Sequence, residues 1–301
     1  MRQSQPDGFG KGSIGFDVEW DLMSFEAKNV LEVLNGHFSG VFELISEQSE
    51  GFLLASSVRL ASSGGTNVFL FLRLPRSPDE ERLTAGNGEG SAVANNPVRI
   101  WEDQWMHHRP AVISRMAARL GRCTRIHGRE TVVQRVDSNT GLQFLEANHL
   151  LVPLKGKYRF GLYYQEELRS LAVFSGARQM KSQGANHRSF ELLRFCHAGM
   201  QLVSGGLGKL LSAFAAAFQP DDIMTYLDME WPGGEAFLKN GFTPAGTLPP
   251  QIFWINPDDG IRYYPGRLPA ALQGAGPEGL HELGYYRIYN NGSLKLIRRF
   301  G

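Results

Sequence analysis

Residues 190–211 read FELLRFCHAGMQLVSGGLGKLL and join a strand-like apolar run, a glycine-rich turn and the start of a helix. Gly205, Gly206 and Gly208 leave backbone N–H groups uncovered where the helix begins, an arrangement that suits a phosphate group. The turn matches neither GxxxxGK[ST] nor GxGxxG, so a nucleotide P-loop and a dinucleotide fingerprint both fit poorly. Residues 235–242, EAFLKNGF, add a short helical pattern that stops at Gly241. The stretch therefore predicts a phosphate cradle between a strand and a helix.

Outward from this stretch, apolar periodicity predicts a mixed α/β (α+β) fold, with a central sheet and flanking helices. The predicted helices are 110–120, 141–148, 209–218 and 235–240. The predicted strands are 131–133, 158–164, 168–175, 189–196, 223–227, 251–255, 285–289 and 295–297. Two turns predict hairpins, one at 165–167 and one at Asn290-Asn291-Gly292.

The first 96 residues have weaker periodicity and form a separate, divergent N-terminal region in this interpretation. A helix is predicted near 25–34, with strands near 58–60 and 68–74. Residues 79–97 include the stretch AGNGEGSAVANNP, with several Gly and Asn residues, which predicts a loop or linker. We therefore expect a boundary there, followed by a domain at 97–301 with a basic helical entry segment at 97–135.

Composition narrows the class of protein. The chain has 301 residues and 42% hydrophobic content, enough for a full core. No apolar run approaches the roughly 18 residues that a membrane span needs, and no secretory pattern opens the sequence. Cys123 and Cys196 are expected to be reduced, buried thiols. We expect an intracellular, cytoplasmic protein, with organellar targeting left open, and no metal, because the histidines lack ligand spacing.

Basic residues are concentrated in the entry segment. Arg115, Arg119 and Arg122 recur at helical spacing and predict one exposed basic face. Between residues 109 and 135 the sequence has one acidic residue, Glu130, and seven arginines, at positions 109, 115, 119, 122, 125, 129 and 135. Such a cluster fits a solvated helix face, or contacts with DNA or RNA phosphates.

From about residue 157 to 242, the order of elements resembles the GNAT family of acyl-CoA-dependent N-acyltransferases. The resemblance rests on the hairpin YRFGLYYQEELRSLAVFS, the strand FELLRFC, the turn SGGLG, the helix KLLSAFAAAF, the strand DIMTYLD and the closing EAFLKNGF. It implies a GNAT-like fold and transfer of an acyl group from acetyl-CoA or another acyl-CoA to a small-molecule or protein amine. It also implies that residues 191–195 flank the pantetheine arm. The implied pyrophosphate-binding residues are Val203, Ser204, Gly205, Gly206, Leu207, Gly208 and Lys209.

Two residues depart from that family's pattern. Phe237 stands where the family often has a tyrosine that protonates the leaving thiolate. The turn also lacks the arginine that usually begins the family's loop, unless Arg194 serves. These departures keep open the interpretation that the chain is a descendant of this fold without activity.

Acyl transfer to an amine needs a base and a group that polarises the thioester carbonyl. Glu191, on the strand before the cradle, is the first candidate base. Asp228 follows, at the end of the next strand, where ligands of α/β sheets commonly lie. Tyr226 is a candidate acid. Each of the three also fits an ordinary surface, paired or packed residue.

A longer resemblance runs from about residue 98 to the C-terminus. Strings such as IWEDQW, FLEANHL and FTPAGTLPPQIFWI look like a module in phage and plant proteins, which in phages follows very-short-patch-repair-like or homing endonuclease domains. This resemblance implies a nucleic-acid-associated accessory module as the alternative function. No strand with Asp followed by Glu-x-Lys precedes it, so we expect no nuclease activity. We rank the acyltransferase first.

Overall fold

The computed structural model describes residues 27–39, 42–48, 55–62, 65–85, 97–179 and 187–300. The helices are α1 (Ala27–Phe38), α2 (Pro78–Ala85), α3 (Glu102–Arg119), α4 (Ser138–Asn148), α5 (Gly206–Phe218), α6 (Glu235–Leu238) and α7 (Gly276–Glu282). The strands up to the glycine turn are β1 (Phe42–Gln48), β2 (Ala55–Ser62), β3 (Gly65–Leu72), β4 (Val98–Trp101), β5 (Thr124–His127), β6 (Val132–Arg135), β7 (Tyr158–Tyr164), β8 (Glu167–Phe174), β9 (Arg178–Gln179), β10 (Arg188–His197) and β11 (Gln201–Ser204). The later strands are β12 (Asp222–Asp228), β13 (Thr243–Leu248), β14 (Ile252–Ile255), β15 (Arg262–Tyr263), β16 (Tyr286–Tyr289) and β17 (Ser293–Arg299).

The largest sheet has the order β13-β17-β12-β10-β8-β7-β6, with β9 added beside β10. Its neighbours are antiparallel except for β10 and β12, which run parallel. The predicted mixed α/β fold with a central sheet is therefore confirmed. The hairpin of β7 and β8 is confirmed as well, and Gln165 and Glu166 at its turn have φ of 50° and 65°.

Helix α5 covers one face of this sheet. Phe190 and Ile223 pack beneath it, and the ring of its Phe214 stacks on Phe174 with 3.9 Å between centroids. The opposite face packs against α4, where Leu145 meets Leu171 and other apolar residues of β8. Burial on both faces explains why β8 and β10 read as nearly continuous apolar runs.

A second, four-stranded sheet has the order β1-β2-β3-β4, and β4 runs parallel to β3. Helix α3 packs on it, with Trp105 and Met116 in the same core as Phe69 and Leu34 of the N-terminal region. The boundary expected near 79–97 therefore lies between two neighbouring strands of one sheet. The first residues of the predicted linker form α2 and not a loop, and residues 86–96 lie outside the described part of the chain.

The hairpin predicted at Asn290-Asn291-Gly292 is wrong. β16 pairs with β14 in a three-stranded sheet, whereas β17 pairs with β12 and β13 in the central sheet. The side chain of Asn290 accepts the N–H groups of Gln251 and Gly292, at 2.7 and 3.0 Å. A Cβ added at Gly292 would lie 2.2 Å from the Leu248 carbonyl oxygen, so the glycine allows a close crossover between sheets.

Candidate active site

The parallel strands β10 and β12 pair over only three residues. The last pair is Glu191 with Met224. Beyond it, β10 has a register shift against β8 between Leu192 and Arg194, and β12 pairs only with β17 on its other side. The Thr225 hydroxyl, which donates to the Leu192 carbonyl at 2.9 Å, makes the last link between the two strands. The sheet therefore splits toward the C-terminal ends of β10 and β12.

The N-terminus of α5 follows this split. Gly205 precedes the helix with φ of 73°, and no side chain caps the helix. The N–H of Lys209 donates to the Gly205 carbonyl at 3.1 Å and so begins the helical ladder. The N–H groups of the first turn, at Gly206, Leu207 and Gly208, have no partner within the helix. They and the positive end of the helix dipole form the donor set that the sequence predicts for an anion.

Two glycines in this turn are held by close contacts. A Cβ at Gly206 would lie 3.0 Å from a Leu162 methyl carbon, and a Cβ at Gly208 would lie 2.4 Å from Asn240 Oδ1. Gly208 therefore lets the turn after α6 approach α5. Val203, by contrast, is buried in the core beneath the helix, and Ser204 is partly buried.

Lys209 has a different environment from the one that the sequence suggests. Its ammonium group donates to the carbonyl oxygens of Gly128, at 2.8 Å, and Thr131. It thus fastens the segment after β5 to α5. Only the backbone of this residue belongs to the turn.

A pocket of about 490 Å³ lies beside the N-terminal half of α5. Gly208 and Ser212 of α5 form one wall. The other residues that line it are Lys239, Asn240, Gly241, Arg298 and Arg299. Among the described residues, none of its three cations forms a salt bridge. The pocket is therefore positively charged and continuous with the helix turn.

The three candidate catalytic residues share the face of the sheet opposite α5. Phe190, Ile223 and Leu227 point toward α5, and alternation along the strands directs Glu191, Tyr226 and Asp228 the other way. Glu191 is paired with Arg178 at 3.1 Å. Tyr226 is 36% exposed. Asp228 lies next to the split and accepts the Glu230 N–H at 2.9 Å.

Glu230 lies two residues after Asp228, beyond the end of β12. The structure buries Glu230 to 1% exposure, with its Oε1 2.8 Å from the Trp101 indole nitrogen that donates to it. Burial, together with the negative charge of Asp228, raises its pKa to about 7 despite nearby Arg262 and Arg99. The sequence shows that Glu230 follows Asp228 by two residues. It does not show that the Glu230 carboxyl group is enclosed by Trp101, which belongs to β4 and is distant in the sequence.

The sequence predicts that Arg115 belongs to an exposed basic face, but in the structure this residue is half-buried. Its guanidinium lies 4.3 Å from the centroid of the Trp231 ring, and burial lowers its pKa. Arg119 donates to the Pro232 carbonyl at 2.5 Å, and Arg122 is exposed.

The kink at His108, two residues before Pro110, separates the two parts of α3 and sets the rotation of the second part. The helical spacing of Arg115, Arg119 and Arg122 in the sequence does not reveal this rotation.

Phe237 packs against Phe242, with ring centroids 5.6 Å apart, and lies at the edge of the α5 core. No hydroxyl is present at this position. The thiol of Cys196 lies on the other face, and burial raises its pKa to about 12. Neither residue therefore offers a ready proton donor near neutral pH.

The described part of the chain contains no group of three or more His, Cys, Asp or Glu residues placed to hold a metal ion. None of its helices is long and apolar enough to cross a membrane.

No protein-family model matches this sequence, and no curated protein sequence matches it. Solved structures that align with it include Arabidopsis thaliana Naa50 in complex with a bisubstrate analogue (TM-score 0.35, 12% identity, 57% of this chain and 99% of that chain). A GNAT family acetyltransferase from Elizabethkingia anophelis with acetyl-CoA bound also aligns (TM-score 0.33, 12% identity, 57% and 99%). A third is a protein from Pyrococcus horikoshii OT3 (TM-score 0.27, 12% identity), of which the chain covers 65%, with 48% of this chain aligned. Alignments with TM-scores this low carry no functional assignment.

Proposed function

We propose that the chain is an acyl-CoA-dependent N-acyltransferase. The observation that carries this is the split between β10 and β12, which has an uncapped helix N-terminus on one face and carboxylates on the other. A thioester that enters from the α5 face through the split meets an amine that waits on the opposite face. When bound, acyl-CoA supplies the activated acyl group.

The residues around α5 suit the phosphates of coenzyme A. The N–H groups of Gly206, Leu207 and Gly208 suit its pyrophosphate, because a helix N-terminus favours anions. Lys239 and Arg298 in the adjoining pocket suit the 3′-phosphate. A Cβ at Gly208 would meet Asn240 Oδ1, so the site needs the glycine that stands there.

The acceptor amine must lose a proton before it attacks. Of the candidate bases, Asp228 is better placed than Glu191, since it lies at the end of β12 and forms no ion pair among the described residues. Glu191 already pairs with Arg178. Tyr226, the candidate acid, lies two residues before the end of the strand. Because Phe237 has no hydroxyl, the leaving thiolate takes its proton from solvent or from the ammonium of the acceptor.

Isothermal calorimetry with CoA and with 3′-dephospho-CoA tests the cofactor site. CoA is expected to bind at least tenfold more tightly, which corresponds to about 1.4 kcal/mol from the contacts of the 3′-phosphate. The double variant Lys239→Ala, Arg298→Ala should lose this preference and keep the weaker affinity for dephospho-CoA.

Arg267→Ala is the matched control, because it removes an exposed arginine from a different surface. It should leave both affinities unchanged. Absence of binding heat for both ligands would reject the proposed function. Equal affinities in the unmodified protein would reject the pocket as the 3′-phosphate site.

A further inference from the structure

Two buried donor groups without an acceptor, and one half-buried arginine without a hydrogen-bond partner, lie on the face opposite α5. Trp231 is 8% exposed, and its indole N–H is buried with no hydrogen-bond partner. The Nε–H of Arg194 is likewise buried and unpaired. Arg115 lies over the Trp231 ring and has no hydrogen bond or ion pair to the described residues. Buried donors without acceptors cost free energy, so each needs an explanation.

These groups come from three elements near the split in the sheet: Arg115 contacts the Trp231 ring, and Arg115 and Arg194 both act on His149 and Cys196. Arg115 is on α3, Arg194 is on β10 directly after its register shift, and Trp231 follows β12. The rest of the Arg194 guanidinium donates only to backbone carbonyls, those of Leu193 at 2.7 Å and Val152 at 3.2 Å. Its positive charge is therefore not neutralised by a bonded carboxylate.

Two of the neighbouring titratable groups, His149 and Cys196, carry no negative charge near pH 7. Burial and the charges of Arg115 and Arg194 lower the pKa of His149 to about 3, so its ring is neutral near pH 7. The thiol of Cys196 faces both arginines and stays protonated, because burial raises its pKa. The charge of Asp228 acts on Arg115 and that of Glu191 on Arg194, but neither carboxylate forms a salt bridge with these arginines.

We infer that Arg115, Arg194 and the Trp231 N–H bind a carboxylate of the acceptor, which makes the acceptor an amino acid or a similar amino carboxylate. This inference rests on the proposed function. Two arginines with planar forks and an indole donor suit a carboxylate, which accepts several hydrogen bonds in one plane. Asp228 at the end of β12 is then left for the ammonium group of the same molecule.

The transfer balances for such an acceptor. The ammonium group gives one proton to Asp228, and the amine nitrogen attacks the thioester carbonyl. The new C–N bond forms as the C–S bond breaks. The thiolate takes up one proton and the second is released to solvent, so the products are an N-acyl amino acid, the thiol form of CoA and one proton.

Paired acceptors test the inference on the unmodified protein. The full chain is incubated with acetyl-CoA and either the twenty common amino acids or their decarboxylated amines, and acetylated products are measured by mass spectrometry. At least one amino acid should be acetylated, and more than a hundredfold faster than the amine that lacks its carboxylate. Equal rates within a pair, or acetylation of the amines alone, would overturn the inference.

Variants locate the carboxylate. Arg115→Gln and Arg194→Gln should each raise the KM for the preferred amino acid at least tenfold, with little change for its decarboxylated amine. Arg122→Gln, an exposed arginine beyond the end of α3, is the control and should change neither. Equal losses with both members of a pair would indicate a purely structural role and overturn the assignment.

Tryptophan fluorescence gives a readout that does not need turnover. The preferred amino acid should change the emission of the unmodified protein and of Arg122→Gln, and the change should be absent in Arg115→Gln. If CoA binds in calorimetry but no amino acid is acetylated or changes the emission, the inference fails and the proposed function stands. If CoA itself does not bind, the proposed function fails.

Discussion

At the scale of single residues, the pKa of the Glu230 carboxyl group is set by its surroundings. It is enclosed by Trp101 and the end of β12, and it lies close to Asp228. Its pKa in the folded protein is about 7, against an ordinary value of 4.5. The folded protein therefore holds a proton that the unfolded chain releases between these two values, and stability falls as pH rises through this window.

Glu230→Gln should remove this dependence. The amide oxygen can still accept the Trp101 N–H, so packing is retained. Chemical denaturation from about pH 4.5 to 7.5 should show the free energy of unfolding of the unmodified protein falling relative to the variant, by at most about 1.4 kcal/mol per pH unit. Glu235→Gln, an exposed acid on α6, is the control and should follow the unmodified protein. Parallel curves for Glu230→Gln would contradict the enclosure.

At the scale of elements, the sequence predicted the strands and helices around the glycine turn because each has a clear apolar pattern and a clear end. β7, β8, β10, α5 and β12 lie within a few residues of their predicted bounds. The hairpin at Asn291-Gly292 was wrong, because a turn signal gives the local bend and not the partner strand. The partners of β16 and β17 are set by contacts with β14 and β12, far away in the sequence.

In the candidate site, too, the features set by local sequence were predictable, and those set by distant contacts were not. The cradle at Gly205 to Gly208 follows from local sequence, and the structure has the uncapped helix start that it implies. The environment of Arg115 was not predictable, since it depends on the kink at His108 and on Trp231, which arrives from another element. Residues that act through long-range contacts leave no spacing pattern in a single sequence.

The link between β10 and β12 can be tested at this scale. Thr225→Val removes the hydroxyl that donates to the Leu192 carbonyl, and Thr225 is 4% exposed. The variant should lose about 1–2 kcal/mol in the free energy of unfolding, as expected for a buried hydrogen bond. Thr243→Val removes a similar bond to Ile297 at the exposed edge and should stay within about 0.5 kcal/mol. Equal effects of the two substitutions would show that the split is not held at Thr225.

At the scale of the whole molecule, the two faces of the central sheet have different charges and different neighbours. The α5 face carries the turn and the pocket of Lys239, Arg298 and Arg299. The opposite face is completed by α3, whose Trp105 and Met116 pack with Phe69 of the N-terminal sheet. Trp231 belongs to that same core. The N-terminal sheet therefore supports the proposed acceptor side, while the proposed cofactor side is built by α5, α6 and β17.

A crystal structure of the full chain soaked with CoA tests the central claim most directly. Electron density for the pyrophosphate is predicted within hydrogen-bond distance of the N–H groups of Gly206, Leu207 and Gly208, with the 3′-phosphate beside Lys239 and Arg298 and the thiol end at the split between β10 and β12. Density for CoA at another surface, or an empty turn after soaking at saturating concentration, would contradict the account.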